Sequence, residues 1–292
     1  MSWIQLTFLT NAEIAETLSD LMHDYGAVAV TLKEGGADEI FEPPIGETPL
    51  WQDTRVVGLF ESDQDIAATI SLLKENLGTE NFPSYQESVV EDQDWERAWL
   101  ADFKPMQFGE NLWIVPSEFE PVDAEAVNIF LDPGLAFGTG THPTTALCLA
   151  WLDQNKALDQ DVIDYGCGSG VLAIAAAKLG AADVSAVDID PQALIATDAN
   201  AKKNNVESYI KSYLPEDFPE KAADLLLANI LANPLMELAE HFTELLKDNG
   251  KIVLSGILEE QADEVLLTYQ AYFNMHPAVI ENGWVMLQGE KR

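Results

Sequence analysis

The sequence of 292 residues is poor in cations, in cysteine and in long apolar runs. Only 15 lysines and arginines stand against 50 acidic residues, which gives a formal net charge of −35. Because cations that neutralise phosphates supply most of the non-specific affinity for nucleic acid, free DNA or RNA is a poor candidate partner. The acidity either serves solubility or steers a basic partner toward the protein, and the two interpretations are compatible.

The two cysteines, Cys148 and Cys167, are too few for a disulfide framework or a metal cluster of CxxC type. No apolar run approaches the roughly 18 residues that span a bilayer, and no cationic segment followed by an apolar one opens the sequence. These features favour a reducing cytoplasm, no contact with a membrane and no metal site.

Residues 1–90 repeat one pattern twice, strand and helix and then strand again. Ser2–Leu9 alternates as a strand does, and Ala12–Tyr25 has the apolar spacing of a helix. The order predicts a small α+β ferredoxin-like domain with both helices on one face of its sheet. It has the size of a recognition module and contains no cluster of catalytic residues.

Residues 91–105 show the pattern of a short linker helix. Trp95 and Trp99 are four residues apart and therefore share one face. They either pack between two domains or, with Phe103, contact a ligand at the domain junction.

Strands and helices alternate over residues 106–292. Such repeated units predict a Rossmann-like α/β domain, whose mostly parallel, seven-stranded sheet is covered on both faces. Its expected elements include a helix over Pro234–Lys247 and a strand over Lys251–Ser255. Ligands of these sheets bind beyond the carboxyl ends of the strands.

The strongest local signal is the run VIDYGCGSG at Val162–Gly170, where the first strand of this domain ends. Gly166, Gly168 and Gly170 allow a sharp turn and a close approach of the backbone to a ligand. The dinucleotide fingerprint G-x-G-x-x-G would require glycine at positions 166, 168 and 171, and position 171 is Val171. This argues against a nicotinamide-dependent oxidoreductase and favours a cofactor without phosphates.

Polar residues follow two further strands of the same sheet. Asp188 ends the next strand, where a carboxylate can accept hydrogen bonds from both hydroxyls of a ribose; Asp190 supplies the cap of the following helix. Asp164, ahead of the glycines, either orients the turn or receives a charged amine of the ligand. Asn229 ends the apolar strand of LLLANILANP and offers amide donors and an acceptor.

These motifs, in this order, resemble the class I methyltransferases that use S-adenosylmethionine. The run LDPGLAFGTGTHPTT at Leu131–Thr145, together with WERAW, DYGCGSG, DIDPQA and LLLANILANP, is similar to the PrmA family of ribosomal protein L11 methyltransferases over nearly the whole chain. The resemblance implies methylation of lysine ε-amino groups and of the N-terminal α-amino group of large-subunit ribosomal protein L11, with S-adenosylmethionine as donor. It also implies that residues 1–90 recognise this substrate, and that the linker lets them reorient over a methyltransferase domain at 106–292.

The resemblance also implies a set of cofactor contacts. Carried onto the matching positions, they fall on Thr145, Gly166, Asp188 and Asn229, and the geometry of the turn adds Gly168.

The chemistry requires a neutral amine that attacks an activated methyl group. Deprotonating a lysine of reference pKa near 10.4 costs roughly 4 kcal/mol at pH 7.4, and an α-amino group costs only roughly 0.4–0.8 kcal/mol. No histidine or carboxylate belongs to the motifs beyond those assigned to the cofactor. We therefore expect no obligatory general base, and expect Asn229 with nearby backbone carbonyls to orient the amine.

Alternatives stay open at this point. One alternative to L11 is a different methyl acceptor, either another protein, a small molecule or RNA. The other is that the chain is a cofactor-binding adaptor without activity. His142 either braces its loop or contacts the site, and Cys167 is interpreted as a small residue in the turn rather than a nucleophile. No coiled-coil signal is present, so a monomer is expected.

Overall fold

The computed structural model describes residues 2–36, 50–78, 82–91, 104–132, 142–219 and 221–292. The chain divides into two compact units, Met1–Ala98 and Trp99–Arg292. Most of the predicted linker, with Trp95, Trp99 and Phe103, lies outside the described residues, as does most of the Gly- and Thr-rich run before His142.

The described part of the first unit has the predicted order of strands and helices. Its elements are β1 (Ser2–Asn11), α1 (Ala12–Asp24), β2 (Ala29–Glu34), β3 (Asp53–Glu61), α2 (Ile66–Leu77) and β4 (Ser84–Glu91). The four strands form an antiparallel sheet in the order β2-β3-β1-β4, which is the ferredoxin-like arrangement.

Alternation along β1 explains how this sheet acquires its core. Leu6 and Phe8 are fully buried and pack with Leu18 of α1 in one apolar cluster. The helix begins where the sequence predicts, because Oδ1 of Asn11 accepts a hydrogen bond from Ile14 N at 3.1 Å.

The second unit contains the larger sheet and a small separate one. Its strands are β5 (Met106–Phe108), β6 (Leu112–Val115), β7 (Val127–Phe130), β8 (Asp161–Tyr165), β9 (Asp183–Val187), β10 (Ile210–Tyr213), β11 (Ala223–Asn229), β12 (Leu246–Leu258), β13 (Phe273–Met275), β14 (Val279–Glu281) and β15 (Trp284–Lys291). Its α-helices are α3 (Pro143–Gln154), α4 (Val171–Lys178), α5 (Pro191–Lys203), α6 (Ala232–Glu237), α7 (Ala239–Glu244) and α8 (Ala262–Gln270).

The main sheet runs in the order β10-β9-β8-β11-β12-β15-β13, and β14 pairs with β15 off this path. Strands β8 to β12 are parallel, whereas β15 is antiparallel to β12. Apolar clusters cover the sheet on both faces, as expected for a doubly covered parallel sheet. The prediction of a Rossmann-like α/β domain behind a small α+β domain is confirmed.

One detail of the predicted sheet is wrong: it has eight strands rather than seven, since β14 adds one. We also did not predict the strands β5, β13 and β14 from the sequence, because three residues each are too few to show an alternating pattern.

The single helix predicted over Pro234–Lys247 is also wrong. Two short helices occupy this region and end at Glu244, because Leu246 pairs with Ala223 and so begins β12. Asn249, in the sequence DNG, has a φ of 60° and lies where the pairing of β12 with β11 is irregular.

No helix in the part of the chain that the structure describes combines the length and the apolar character needed to cross a bilayer.

Candidate active site

The glycine-rich turn follows β8 in a conformation that suits glycine. Gly166, Gly168 and Gly170 have φ values of 79°, 54° and 77°, in the left-handed region that side chains with a Cβ rarely adopt. The N–H groups of Gly166 and Cys167 both donate to the carbonyl of Val187, at 2.7 and 3.1 Å. The turn is thereby held against the end of β9.

Two side chains of α5 hold the turn from its other side. Thr197 Oγ1 donates to the carbonyl of Gly168 at 3.1 Å, and Asn200 Nδ2 donates to the carbonyl of Ser169 at 2.9 Å. A Cβ on Gly170 would lie 2.8 Å from the Thr197 side chain, so glycine is required there. We did not predict Thr197 and Asn200 from the sequence, although their spacing of three places both on one helical face.

Asp188 lies directly after β9 and is half-buried. Its Oδ2 accepts a hydrogen bond from Gly168 N, and its Oδ1 accepts one from Asp190 N, both at 2.9 Å. Two predicted site residues, Asp188 and Gly168, are thus in direct contact. Because each carboxylate oxygen has two lone pairs, both can accept a further hydrogen bond from a ligand hydroxyl.

Asp164 is a buried carboxyl group under the same turn. Its Oδ2 accepts from Ala173 N in the first turn of α4 at 2.9 Å, which supports the interpretation that it orients the turn. No hydrogen-bond partner for Oδ1 occurs among the described residues. Burial raises the pKa of Asp164 to about 7; the Ala173 N–H opposes this shift and the charge of Asp188 adds to it.

Asn229 and Thr145 form a second pair of predicted site residues. Asn229 ends β11, one strand from the glycine turn, and its Nδ2 donates to Oγ1 of the buried Thr145 at 3.2 Å. The Asn229 Oδ1 is buried, and the described residues supply no hydrogen-bond donor for it. An acceptor in this state is suited to a ligand N–H or O–H.

His142 caps the helix that carries Thr145. Its Nδ1 accepts from Thr144 N at 3.4 Å and lies 2.8 Å from Thr144 Oγ1. The imidazole ring lies against Trp284, with ring centroids 4.6 Å apart. Burial lowers the pKa of His142, so the ring is neutral at neutral pH.

The two cysteines are poor nucleophiles. Burial raises the pKa of both thiols, that of Cys148 to about 12, and each is therefore protonated at neutral pH. Cys167 Sγ lies 3.4 Å from Thr197 Oγ1 and fills the turn. Within the described ranges, no three metal-ligating side chains come together.

The donors and acceptors of this edge match S-adenosylmethionine. The ribose hydroxyls require an acceptor, and the predicted one, Asp188, has lone pairs left for it. The positions without a Cβ in the turn leave room for a close backbone approach. Asp164 Oδ1 and Asn229 Oδ1, which have no hydrogen-bond partner among the described residues, suit the N–H groups of an amine.

Comparison with known proteins places the whole chain in one family. The model of the ribosomal protein L11 methyltransferase (PrmA) family matches residues 2–292. The chain belongs to this family. Its L11 methyltransferase relatives from Shewanella sp. (strain ANA-3) and Shewanella denitrificans are both 52% identical to it, over 293 and 295 residues, and cover 100% of each chain. A crystal structure of a ribosomal protein L11 methylase from Lactobacillus delbrueckii subsp. bulgaricus is 30% identical with a TM-score of 0.58, covering 65% of this chain and 100% of that one.

The PrmA assignment confirms the family resemblance, the enzyme class and the methyl donor. This member of the family is a methyltransferase, and its donor is S-adenosylmethionine. The individual cofactor contacts Thr145, Gly166, Gly168, Asp188 and Asn229 stay predictions.

Proposed function

We propose that this PrmA-family chain transfers methyl groups from S-adenosylmethionine to the lysine ε-amino groups and the N-terminal α-amino group of ribosomal protein L11. Methylation of L11 is the activity of its family. The observation that supports amine chemistry is the pair of Asn229 and Thr145, which leaves a buried amide oxygen without a donor from the part of the chain that the structure describes.

The chain's own residues divide into two groups around this edge. Asp188 and the turn at Gly166 and Gly168, whose missing Cβ atoms allow a close approach, hold the nucleoside end of the cofactor, and Thr145 fixes the amide of Asn229. When bound, the cofactor supplies a methyl group already activated by its sulfonium. The Asn229 Oδ1 then accepts a hydrogen bond from the acceptor amine and directs its lone pair.

The reaction needs no protein group that takes the proton. His142 has a lowered pKa and Asp164 is buried beneath the turn, so neither is a strong base within reach of solvent. The amine loses its proton to water before it enters, and desolvation in the cleft stabilises the neutral form. A histidine or carboxylate substitution that lowered turnover by about 10³-fold with cofactor affinity intact would contradict this step.

Further parts of the proposal concern partners and location. The ferredoxin-like unit recognises L11, since it has its own core and its described residues contain no cluster of catalytic groups. A net charge of −35 favours a basic protein substrate over direct binding of nucleic acid. The chain acts as a monomer in the cytoplasm.

The test is methyl transfer from labelled S-adenosylmethionine to unmethylated L11, with the labelled amines located by mass spectrometry. The wild-type chain should label lysines and the N-terminus. In Asp188→Ala, the loss of hydrogen bonds to a charged acceptor should weaken cofactor binding, measured by calorimetry, by roughly 10- to 100-fold. Asp263→Ala, which removes an exposed carboxylate of the same unit, is the matched control.

Other results would separate the alternatives. Cofactor binding without label on L11 would refute the proposed acceptor, and the same assay on other ribosomal proteins would then distinguish another substrate from an inactive adaptor. Unchanged cofactor affinity in Asp188→Ala would refute the proposed ribose contact.

A further inference from the structure

An aromatic pair lies at the carboxyl edge of the sheet, outside the predicted cofactor contacts. It joins the rings of His142, before α3, and Trp284, the first residue of β15, at an interplanar angle of 71°. These residues are 142 positions apart in sequence, and only the strand order brings them together.

The direction of β15 sets where Trp284 lies. Since β15 is antiparallel to β12, its first residue lies at the end where the parallel strands finish. Trp284 pairs with Leu258, whereas Asn229 of β11 pairs with Ser255 of the same strand β12. Trp284 is therefore two strands, about 10 Å, across the sheet from Asn229 and beyond it toward the edge. Both residues therefore lie at the carboxyl edge of the sheet.

The aromatic pair adjoins α3, the helix whose Thr145 accepts a hydrogen bond from Asn229. His142 caps α3, and Thr145 is three residues further along the chain. The ring of Trp284 is half-buried and therefore keeps part of its surface accessible. The accessible part of this side chain can therefore contact a ligand at the carboxyl edge of the sheet.

The chemistry of the pair suits an alkyl amine. The imidazole is neutral, so the pair presents aromatic surface without a charge of its own. Aromatic faces pack against methylene chains and exclude water, and this desolvation favours the neutral amine. Glu281 pairs with Trp284 across β14 and β15 and is exposed, so a cationic side chain approaching this edge meets a carboxylate beside the indole.

We propose that Trp284, positioned by His142, packs against the methylene chain of the acceptor lysine and so determines specificity for lysine ε-amino groups. An α-amino group has no such chain and gains little from the indole. The proposal rests on the proposed function, because it concerns the acceptor side of the same reaction.

The test measures kcat/KM for the lysines and for the N-terminal amine of L11 separately, by site-resolved mass spectrometry. Trp284→Ala should lower the lysine value roughly tenfold and the α-amine value by less than about threefold. Cofactor affinity, measured by calorimetry, should not change. Trp284→Phe retains an aromatic ring and should restore most of the lysine activity.

Two further variants control for structural damage. His142→Asn removes the ring but retains a residue that caps helices well, and it should lower lysine methylation in the same direction by roughly threefold. Trp113→Ala removes another half-buried tryptophan of this unit, in β6, and should leave the ratio of lysine to α-amine methylation unchanged.

The outcomes separate this inference from the proposed function. An unchanged lysine value in Trp284→Ala, or an equal fall for both amines at intact cofactor affinity, would overturn the role of Trp284. Absence of label on L11 from the wild-type chain would instead refute the proposed function. If the wild-type chain labels lysines alone, the fall in Trp284→Ala and its recovery in Trp284→Phe decide the question.

Discussion

The buried carboxyl of Asp164 makes the stability of the second unit dependent on pH. Burial raises its pKa to about 7 in the folded chain, against about 3.9 for an aspartate exposed to water. Between these values the unfolded chain loses the proton while the folded chain keeps it. The contribution of Asp164 to the free energy of unfolding is therefore fully present below pH 3.9, falls as the pH rises to 7, and is constant above pH 7.

Replacing Asp164 with asparagine removes this dependence and retains an amide oxygen that can accept from Ala173 N. From pH 5.5 to pH 8.5 the wild-type chain should lose about 2 kcal/mol of unfolding free energy relative to Asp164→Asn. The neighbouring thiols of Cys148 and Cys167 stay protonated in this range, because burial raises their pKa values. They therefore leave the difference unchanged.

Native-state hydrogen exchange of the amides in β8 and α4 measures the effect in this unit alone. The ratio of wild-type to variant exchange rates at each pH cancels the chemical rate of exchange, and it should change about 30-fold over the range. Asp263→Asn, an exposed carboxylate of the same unit, should give a constant ratio. A constant ratio for Asp164→Asn as well would refute a raised pKa at this position.

Two further substitutions test local geometry. Gly170→Ala should lower the free energy of unfolding in urea by about 1–3 kcal/mol, since the residue has an unfavourable φ and its new Cβ lies too close to Thr197. Gly283→Ala is the control: its φ is +79° and nothing lies within 4 Å of the new Cβ, so it should show only the cost of the backbone conformation. Lys247→Met removes ion pairs of 2.9 and 2.8 Å to carboxylates of β8 and β11. It should cost about 0.5–1 kcal/mol at low salt, because the lysine side chain is 41% exposed and water screens the pairs. That difference should largely disappear in about 1 M NaCl, and its persistence would contradict an electrostatic origin.

The parts of the fold and site that the sequence could predict depend on short-range patterns. The bounds of β8 follow from the apolar residues Val162, Ile163 and Tyr165, which stand directly before a glycine turn. Asp188 and Asn229 could be assigned to one edge because the ends of parallel strands meet there. Each of these inferences uses residues within one strand and its following turn.

The parts that could not be predicted depend on contacts between distant residues. Trp284 reaches the site only because β15 enters the sheet antiparallel beside β12, an arrangement that no local pattern encodes. Pairing of Leu246 with Ala223 likewise ends a helix that apolar spacing alone would continue. The hydrogen bond from Ala173 N to Asp164 and the effect of the Asp188 charge on its pKa likewise depend on the folded chain and could not be predicted from the sequence.

The place of β15 in the sheet also sets an order for folding during synthesis. All strands and helices of the ferredoxin-like unit are present once residue 91 has left the ribosome. During synthesis the amino-terminal unit of a protein generally folds first. In the second unit, β15 lies between β12 and β13, so both strands lack a neighbour until residues 284–291 have been made. Until then the 13-residue strand β12 presents an open edge, and a nascent chain that stalls before residue 284 is prone to aggregation through it.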